Sequence, residues 1–194
     1  MKKVYEKIVS NKILVFLSIL FLVSILTGIL YFFLLPSASK SEISTHLANL
    51  KLSLNSMPII NNQLILCILI VLLSFSIIGF PIILFIYFYE GICLSFTITS
   101  FAYFYGFRGI IFYLLYFIIF NLIYYIAIFY LVYTTYNISK QLLKALKKEI
   151  IINLGDFFRK QFTKFVFIMG FLLIFNILIH FFGTTILKLF IFLL

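Results

Sequence analysis

Long apolar stretches separated by short polar segments dominate this chain of 194 residues. Four of the stretches contain no Asp, Glu, Lys or Arg, and they cover residues 13–35, 61–89, 109–139 and 165–187. Because an α-helix rises about 1.5 Å per residue, each stretch is long enough to cross a hydrocarbon core about 30 Å thick. A soluble chain of this length could not bury so much apolar surface. The pattern therefore predicts an all-α, polytopic membrane protein.

Polar interruptions divide the chain into five predicted transmembrane helices, at residues 13–35, 61–89, 91–107, 109–138 and 165–183. Glu90-Gly91 is interpreted as a tight turn between the second and third helices. Arg108-Gly109 is interpreted as the turn that follows the third helix. Since no other segment is large enough to fold alone, the whole chain, residues 1–194, is predicted to be a single membrane domain.

The outer loop, residues 36–60, begins at Pro36, which ends the first predicted helix. Ser39 and Glu42 in this loop have the spacing of a capping box. The apolar residues that recur on one helical face are Ile43, Leu47, Leu50 and Leu54. We expect a short amphipathic helix at about residues 40–55, which either lies on the lipid headgroups or docks an extracellular partner.

Basic residues are concentrated in two places. The chain is 65% hydrophobic and 10% charged, against about 25% charge in soluble domains, and its net charge is +10. Four lysines lie in the tail 1–12 and seven basic residues in the segment 139–164, which together are eleven of the fifteen. This is the positive-inside pattern, so we predict a cytoplasmic N-terminus, an outer C-terminus and no nucleic-acid partner.

The basic cytoplasmic segment 139–164 opens with an amphipathic pattern. One helical face carries Lys140, Lys144, Lys147 and Lys148. The opposite face carries Leu142, Leu143, Leu146 and Ile150. We predict that these lysines contact the headgroups of the lipid bilayer at its inner surface.

The third predicted helix carries a stripe of small residues. Gly91, Ser95 and Thr99 recur at every fourth position, which lets helix backbones approach closely in lipid. Pro81, just after Gly79, lies inside the second predicted helix and is expected to bend it. The bend either serves packing of the helical hairpin or lines a transport site.

Deep polar residues are few. Asn121 and Asn176 are predicted to lie at similar depth in the fourth and fifth helices, with His180 one turn from Asn176. Because an unpaired amide in hydrocarbon costs several kcal/mol, we predict a hydrogen bond between Asn121 and the Asn176/His180 face. Glu90 is expected to reach water at the inner turn, where it either caps the turn or pairs with the basic segment.

Groups that could perform chemistry do not cluster in the sequence. Cys67 and Cys93 are expected to be separated by most of the membrane thickness, too far apart for a disulfide. Two histidines and five acidic residues offer no metal-ligand spacing, and no Ser, His and acid combination shares a plausible site. We predict a protein that is not an enzyme, with no catalytic residues, no metal and no cofactor.

Several of these segments resemble the stage II sporulation protein M family. The resemblance rests on Leu73–Ile83, on Glu90-Gly91-Ile92, on Phe96-Thr97 and on Phe120–Ile123. It implies five spans with the N-terminus inside, in the bacterial cytoplasmic membrane. It also implies a scaffold that recruits peptidoglycan hydrolases, the stage II sporulation proteins D and P, during engulfment of the forespore.

The alternative is a small permease or an accessory membrane subunit of a transport system. Pro81, Asn121, Asn176 and His180 are the residues that such a protein would use. Transporters usually carry paired polar groups around a cavity at mid-membrane, often with an internal repeat, and no clear repeat is present. A second copy of the chain could supply the other half, so the sequence leaves a homo-oligomer open.

Overall fold

The computed structural model describes residues 12–53, 62–148 and 153–190. These residues form α-helices joined by short connections, without β-strands, which confirms the all-α class. The helices are α1 (Lys12–Leu34), α2 (Ser37–Ser53), α3 (Asn62–Ser74), α4 (Gly79–Tyr116), α5 (Leu122–Leu146) and α6 (Leu154–Phe190). A π-helix, Phe117–Asn121, joins α4 to α5.

Three helical stretches in the described part of the chain are long and apolar enough to cross a membrane. They are Lys12–Leu34, Gly79–Leu146, which includes the π-helix and a reversal at Gly106, and Gly155–Gly183. The shorter α3 is also apolar. Large apolar side chains such as Leu30, Phe85 and Phe167 face outward. Such a surface suits contact with lipid better than contact with water.

Helix α1 runs parallel to residues 79–105 of α4, the part before a reversal at Gly106, and packs closely against it. Residues later in α1 contact residues later in α4: Phe21 packs against Tyr87, and Phe32 packs against Tyr103. A Cβ added to Gly91 would collide with the Ser24 hydroxyl, so this contact admits only glycine. The small residues of the predicted stripe therefore hold two backbones together, as small residues do in membrane helix pairs.

The remaining helices alternate in direction. Helix α5 is antiparallel to α4, because Phe80 contacts Tyr136 while Glu90 contacts Tyr125. Helix α3 is parallel to α5, with hydrogen bonds from Gln63 to Asn121 and between Ser74 and Thr135. In α6, Phe165 contacts Phe75 and Gly183 lies beside Phe120, so α6 runs in the same direction as α4.

The turn between the second and third predicted helices lies at residues 75–78, and the prediction that it lies at Glu90-Gly91 is wrong. The predicted helices 61–89 and 91–107 are therefore replaced by α3 and α4. A turn can form at 75–78 because Gly79 sits against the Leu73 carbonyl, where a Cβ would collide. Glu90 stays helical because Glu is a good helix former and Gly91 serves the contact with α1.

Pro81 does not bend a helix, contrary to the prediction. It is the third residue of α4, in the first turn, where backbone N–H groups have no partner within the helix. The chain reverses instead at Gly106, whose φ of 59° and ψ of −141° leave the helical region. The predicted reversal at Arg108-Gly109 is thus displaced by two residues, and Gly109 permits close packing on the Phe101 carbonyl.

Helix α2 confirms that the outer loop contains a helix, but the predicted capping box is wrong. The helix begins at Ser37, directly after Pro36, so Ser39 lies inside it. Ile43 and Leu47 pack against a cluster that includes Phe101 and Phe112. The apolar face therefore contacts the protein's own helices. The Leu50 side chain and Leu54 lie outside the described residues.

Candidate functional site

A cavity of about 230 Å³ lies between α3, α5 and α6, beside the π-helix. Its polar side chains are Gln63 in the first turn of α3, Asn121 at the end of the π-helix, and Asn176 and His180 on α6. Its walls are completed by Leu64, Tyr116, Phe120, Tyr124, Leu172, Phe175 and Ile179. The cavity therefore combines two kinds of surface, hydrogen-bonding amides with an imidazole and aromatic rings, as ligand sites often do.

The π-helix places Asn121 in this cavity. Its five residues, Phe117–Asn121, widen one turn, and the Leu122 N–H donates to the Phe117 carbonyl. A π-helical turn carries one residue more than an α-turn and frequently marks a functional site. Here the extra residue turns Asn121 toward the interior, where its side chain is buried.

Asn121 is held by a residue that the sequence analysis did not single out. Gln63 Nε2 donates a hydrogen bond of 2.9 Å to Asn121 Oδ1 and so joins α3 to the π-helix. The Tyr116 hydroxyl also interacts with the Asn121 amide. Asn176 and His180 line the same cavity, but the hydrogen bond of Asn121 Oδ1 is with Gln63. In the sequence, Gln63 follows Asn61 and Asn62, so it looks like the end of the polar loop and not like a residue of a helix interior.

One buried polar atom at the cavity, His180 Nδ1, has no hydrogen-bond partner among the described residues. An unpaired buried donor or acceptor costs about 1–3 kcal/mol. This nitrogen can therefore be stabilised by a hydrogen-bonding guest, and a cavity with both donors and acceptors suits a small polar molecule.

Glu90 lies beneath the cavity, in the middle of α4. The Tyr125 hydroxyl donates to the Glu90 carboxylate Oε2 at 3.4 Å and to its backbone carbonyl at 3.3 Å. The Tyr124 ring, which lines the cavity, also brings its hydroxyl close to the Glu90 carboxyl. Glu90 is the only acidic residue between residues 43 and 148 of the sequence, and its side chain lies against helix α5.

Both predicted roles of Glu90 depended on a turn at its position, and both are wrong. Glu90 lies at the same height in the bundle as Tyr125. Lys140 lies roughly 22 Å farther along the axis of α5, at about 1.5 Å per residue. An ion pair with the basic segment is therefore out of reach. Within a membrane-spanning helix, an ionisable side chain is costly and by default indicates function.

The two cysteines are also closer in depth than predicted. Both are free thiols, Cys67 on α3 and Cys93 on α4, and both lie within electrostatic range of Glu90. The turn at residues 75–78 accounts for this difference, since it moves Cys93 from a helix end to the middle of α4. Among the described residues, no three His, Cys, Asp or Glu side chains group as metal ligands would.

The other residues that the sequence singled out lie away from the cavity. Gly79 and Pro81 form the start of α4, and Gly91 and Ser95 face α1. The Thr99 hydroxyl donates to the Ser95 carbonyl of its own helix. The exposed lysines at the end of α5 and just beyond it are Lys140, Lys144, Lys147 and Lys148.

No protein-family model, curated protein or solved structure matches this chain.

Proposed function

We propose that this chain is a five-pass protein of the bacterial cytoplasmic membrane, with its N-terminus in the cytoplasm and its C-terminus outside. The alternating directions of α1, α3, α4, α5 and α6 support five passes. Lys12, the lysines near the end of α5 and the first turns of α6 lie at one end of the bundle, here called the basic end. By the positive-inside rule this end faces the cytoplasm.

We further propose that the protein is a non-enzymatic scaffold for proteins of the cell wall. The observation that carries this proposal is the fixed position of α2 at the end of the bundle opposite the basic end. Ile43 and Leu47 anchor one face of α2 in the core. On the other face, Glu42, Thr45 and His46 are exposed. We call these three residues the outer docking face.

Lys40 strengthens the attachment of α2. Its ammonium donates to the Phe33 carbonyl at 3.1 Å, at the end of α1. It also lies 5.6 Å from the ring centre of Phe32 and 5.8 Å from that of Tyr103. Cation–π contacts of this kind contribute roughly 0.5–1 kcal/mol each at exposed sites. A helix held at both its start and its middle presents a rigid surface, which lowers the entropic cost of binding a partner.

The partners of this scaffold follow from the resemblance to the stage II sporulation protein M family. They would be the stage II sporulation proteins D and P, which degrade peptidoglycan, and the process would be engulfment of the forespore. In this arrangement the cutting chemistry belongs to the partners. The present chain would hold these partners at the outer surface of the membrane.

Purification in mild detergent tests the scaffold role. The tagged full chain is expected to recover the D and P proteins, and Glu42→Lys with His46→Glu is expected to lower that recovery at least tenfold. A matched control, Lys144→Gln with Lys147→Gln, changes two exposed residues at the opposite end and should leave recovery unchanged. Equal recovery by all three proteins would rule out the outer docking face. Recovery of an ATPase without a wall hydrolase would rule out the scaffold role.

A permease or an accessory transport subunit is the second candidate, and the polar cavity above Glu90 favours it. A partly open site with amide, imidazole and hydroxyl groups is the kind that binds a solute within a membrane. This role predicts that an ATP-binding subunit copurifies. It also predicts that Glu90→Gln alters the rate of ATP hydrolysis, whereas Glu42→Lys does not.

A further inference from the structure

We propose that a groove between α5 and α6, at the basic end, binds one anionic phospholipid. This groove, here called the lysine groove, has a volume of about 710 Å³. Tyr130 of α5 forms one side, and Lys160, Thr163, Lys164, Phe167 and Ile168 of α6 form the other. The proposal uses the membrane placement given above and is independent of the scaffold role.

The order of residues along α6 matches the order of groups in a phospholipid. Lys160 and Lys164 are one helical turn apart, so their ammonium groups lie on the same face, and both are exposed. Phe167 and Ile168 follow one turn later, farther from the basic end. Phe167 is 79% exposed, so its ring is available to an acyl chain. The groove thus presents two positive charges at its mouth and an apolar wall beyond them.

Charge favours an anionic headgroup over a zwitterionic one. The two lysines add two positive charges, and the described acid nearest in sequence is Asp156, one turn before Lys160. Asp156 already accepts a hydrogen bond of 2.8 Å from Asn153. A phosphatidylglycerol headgroup brings one uncompensated phosphate charge. Phosphatidylcholine brings the same phosphate with a quaternary ammonium, which the two lysines would repel.

The lysines of the α5 end differ from this arrangement. Lys144 and Lys147 are also exposed at the basic end, but they do not line the groove. They would attract anionic lipids through the general surface potential, without holding a particular molecule. Replacing two lysines in the groove, or two lysines at the end of α5, removes the same charge from the same end of the bundle. A difference between the two double variants therefore measures specific binding in the groove, beyond general electrostatic attraction.

Native mass spectrometry of the full chain, with lipid added from detergent micelles, tests the headgroup site. Lys160→Gln with Lys164→Gln is expected to weaken binding of phosphatidylglycerol roughly thirtyfold, from two lysine contacts. The control, Lys144→Gln with Lys147→Gln, should change it less than about twofold. Phosphatidylcholine should bind weakly to every variant. Equal losses in the two pairs, or equal binding of the two lipids, would overturn the proposal.

A second pair of variants tests the acyl wall. Phe167→Ala is expected to weaken binding of a long-chain phosphatidylglycerol severalfold while leaving a short-chain analogue unaffected. Phe171→Ala is the control, because Phe171 is exposed one turn farther along α6 and does not line the groove. Since both rings are exposed, neither change should prevent folding, which recovery from the membrane fraction verifies. Equal losses at the two positions would overturn the assignment of the acyl chain to this wall.

Discussion

The contact between α1 and α4 differs sharply from the contact among α3, α5 and α6. At the first, hydroxyls bond within their own helices, as Ser24 does to the Phe21 carbonyl and Ser95 to the Ile92 carbonyl. Glycines bring the two backbones together. At the second, Gln63 and Asn121 bond across helices, a cavity remains, and His180 Nδ1 lacks a partner. The first contact is built for fixed packing, whereas the second can adapt to a bound molecule.

The largest expected effect is at Gly91, in the close contact between α1 and α4. Gly91→Val would drive a side chain into Ser24 of α1, and overpacking of this kind costs about 3 kcal/mol or more. We expect a large fall in the thermal unfolding midpoint, measured in detergent by helical circular dichroism. Gly170→Val is the matched control, because a Cβ at Gly170 meets no atom within 4 Å. Similar midpoints for the two variants would contradict the close α1–α4 contact.

Asn121 tests the polar side of the comparison. Asn121→Leu removes the acceptor of the Gln63 amide and is expected to lower the free energy of unfolding by about 1–3 kcal/mol. The double-mutant cycle with Gln63→Leu should show a coupling energy above about 0.5 kcal/mol. Strictly additive losses would mean that this bond does not join α3 to the π-helix.

Tyr125 is expected to matter less. Tyr125→Phe removes a donor to Glu90, but at 3.3 and 3.4 Å the two hydrogen bonds are long. We expect a loss of about 0.5 kcal/mol, at the low end for a hydrogen bond. Tyr130→Phe on the same helix, where the ring is 45% exposed, is the control for loss of a hydroxyl. A loss several times larger would show that Glu90 depends on this tyrosine alone.

His180 should have the smallest effect on stability. His180→Phe removes a buried nitrogen that has no partner, so the free energy of unfolding should change by less than about 0.5 kcal/mol or rise slightly. Any activity that depends on a polar guest in the cavity should nevertheless be lost. A stability loss above about 1 kcal/mol would indicate that His180 belongs to the packed framework.

The lengths of the apolar stretches and the positions of prolines predict the helices well where a charged or polar segment marks the helix ends. The first predicted helix, 13–35, agrees within a residue with α1, Lys12–Leu34. The turn at residues 75–78 was missed because it lies within an apolar stretch and carries no charge. Glu90-Gly91 was misread because charge in a membrane protein usually indicates a boundary. Here Glu90 contacts tyrosines of α5, which sequence spacing could not reveal.

The candidate site was predicted only in part. Asn121, Asn176 and His180 stood out as amide and imidazole groups in apolar stretches, and they line one cavity. Gln63 and Tyr124 did not stand out, because one begins its helix and the other is one of thirteen tyrosines. The π-helix has no sequence signal that could have identified it, since its residues also suit an ordinary α-helix.

The π-helix leaves the chain with one residue that an ordinary α-helix would not need. Removing a single amino acid, such as Ile118, would allow the segment to close as a regular α-turn. Because the wide turn absorbs the extra residue, the helices on either side would keep their relation, while the side chains within residues 117–121 would shift around the axis. Asn121 would then part from Gln63. The length of this segment in a homologous chain is therefore a simple indicator of whether that chain keeps the cavity.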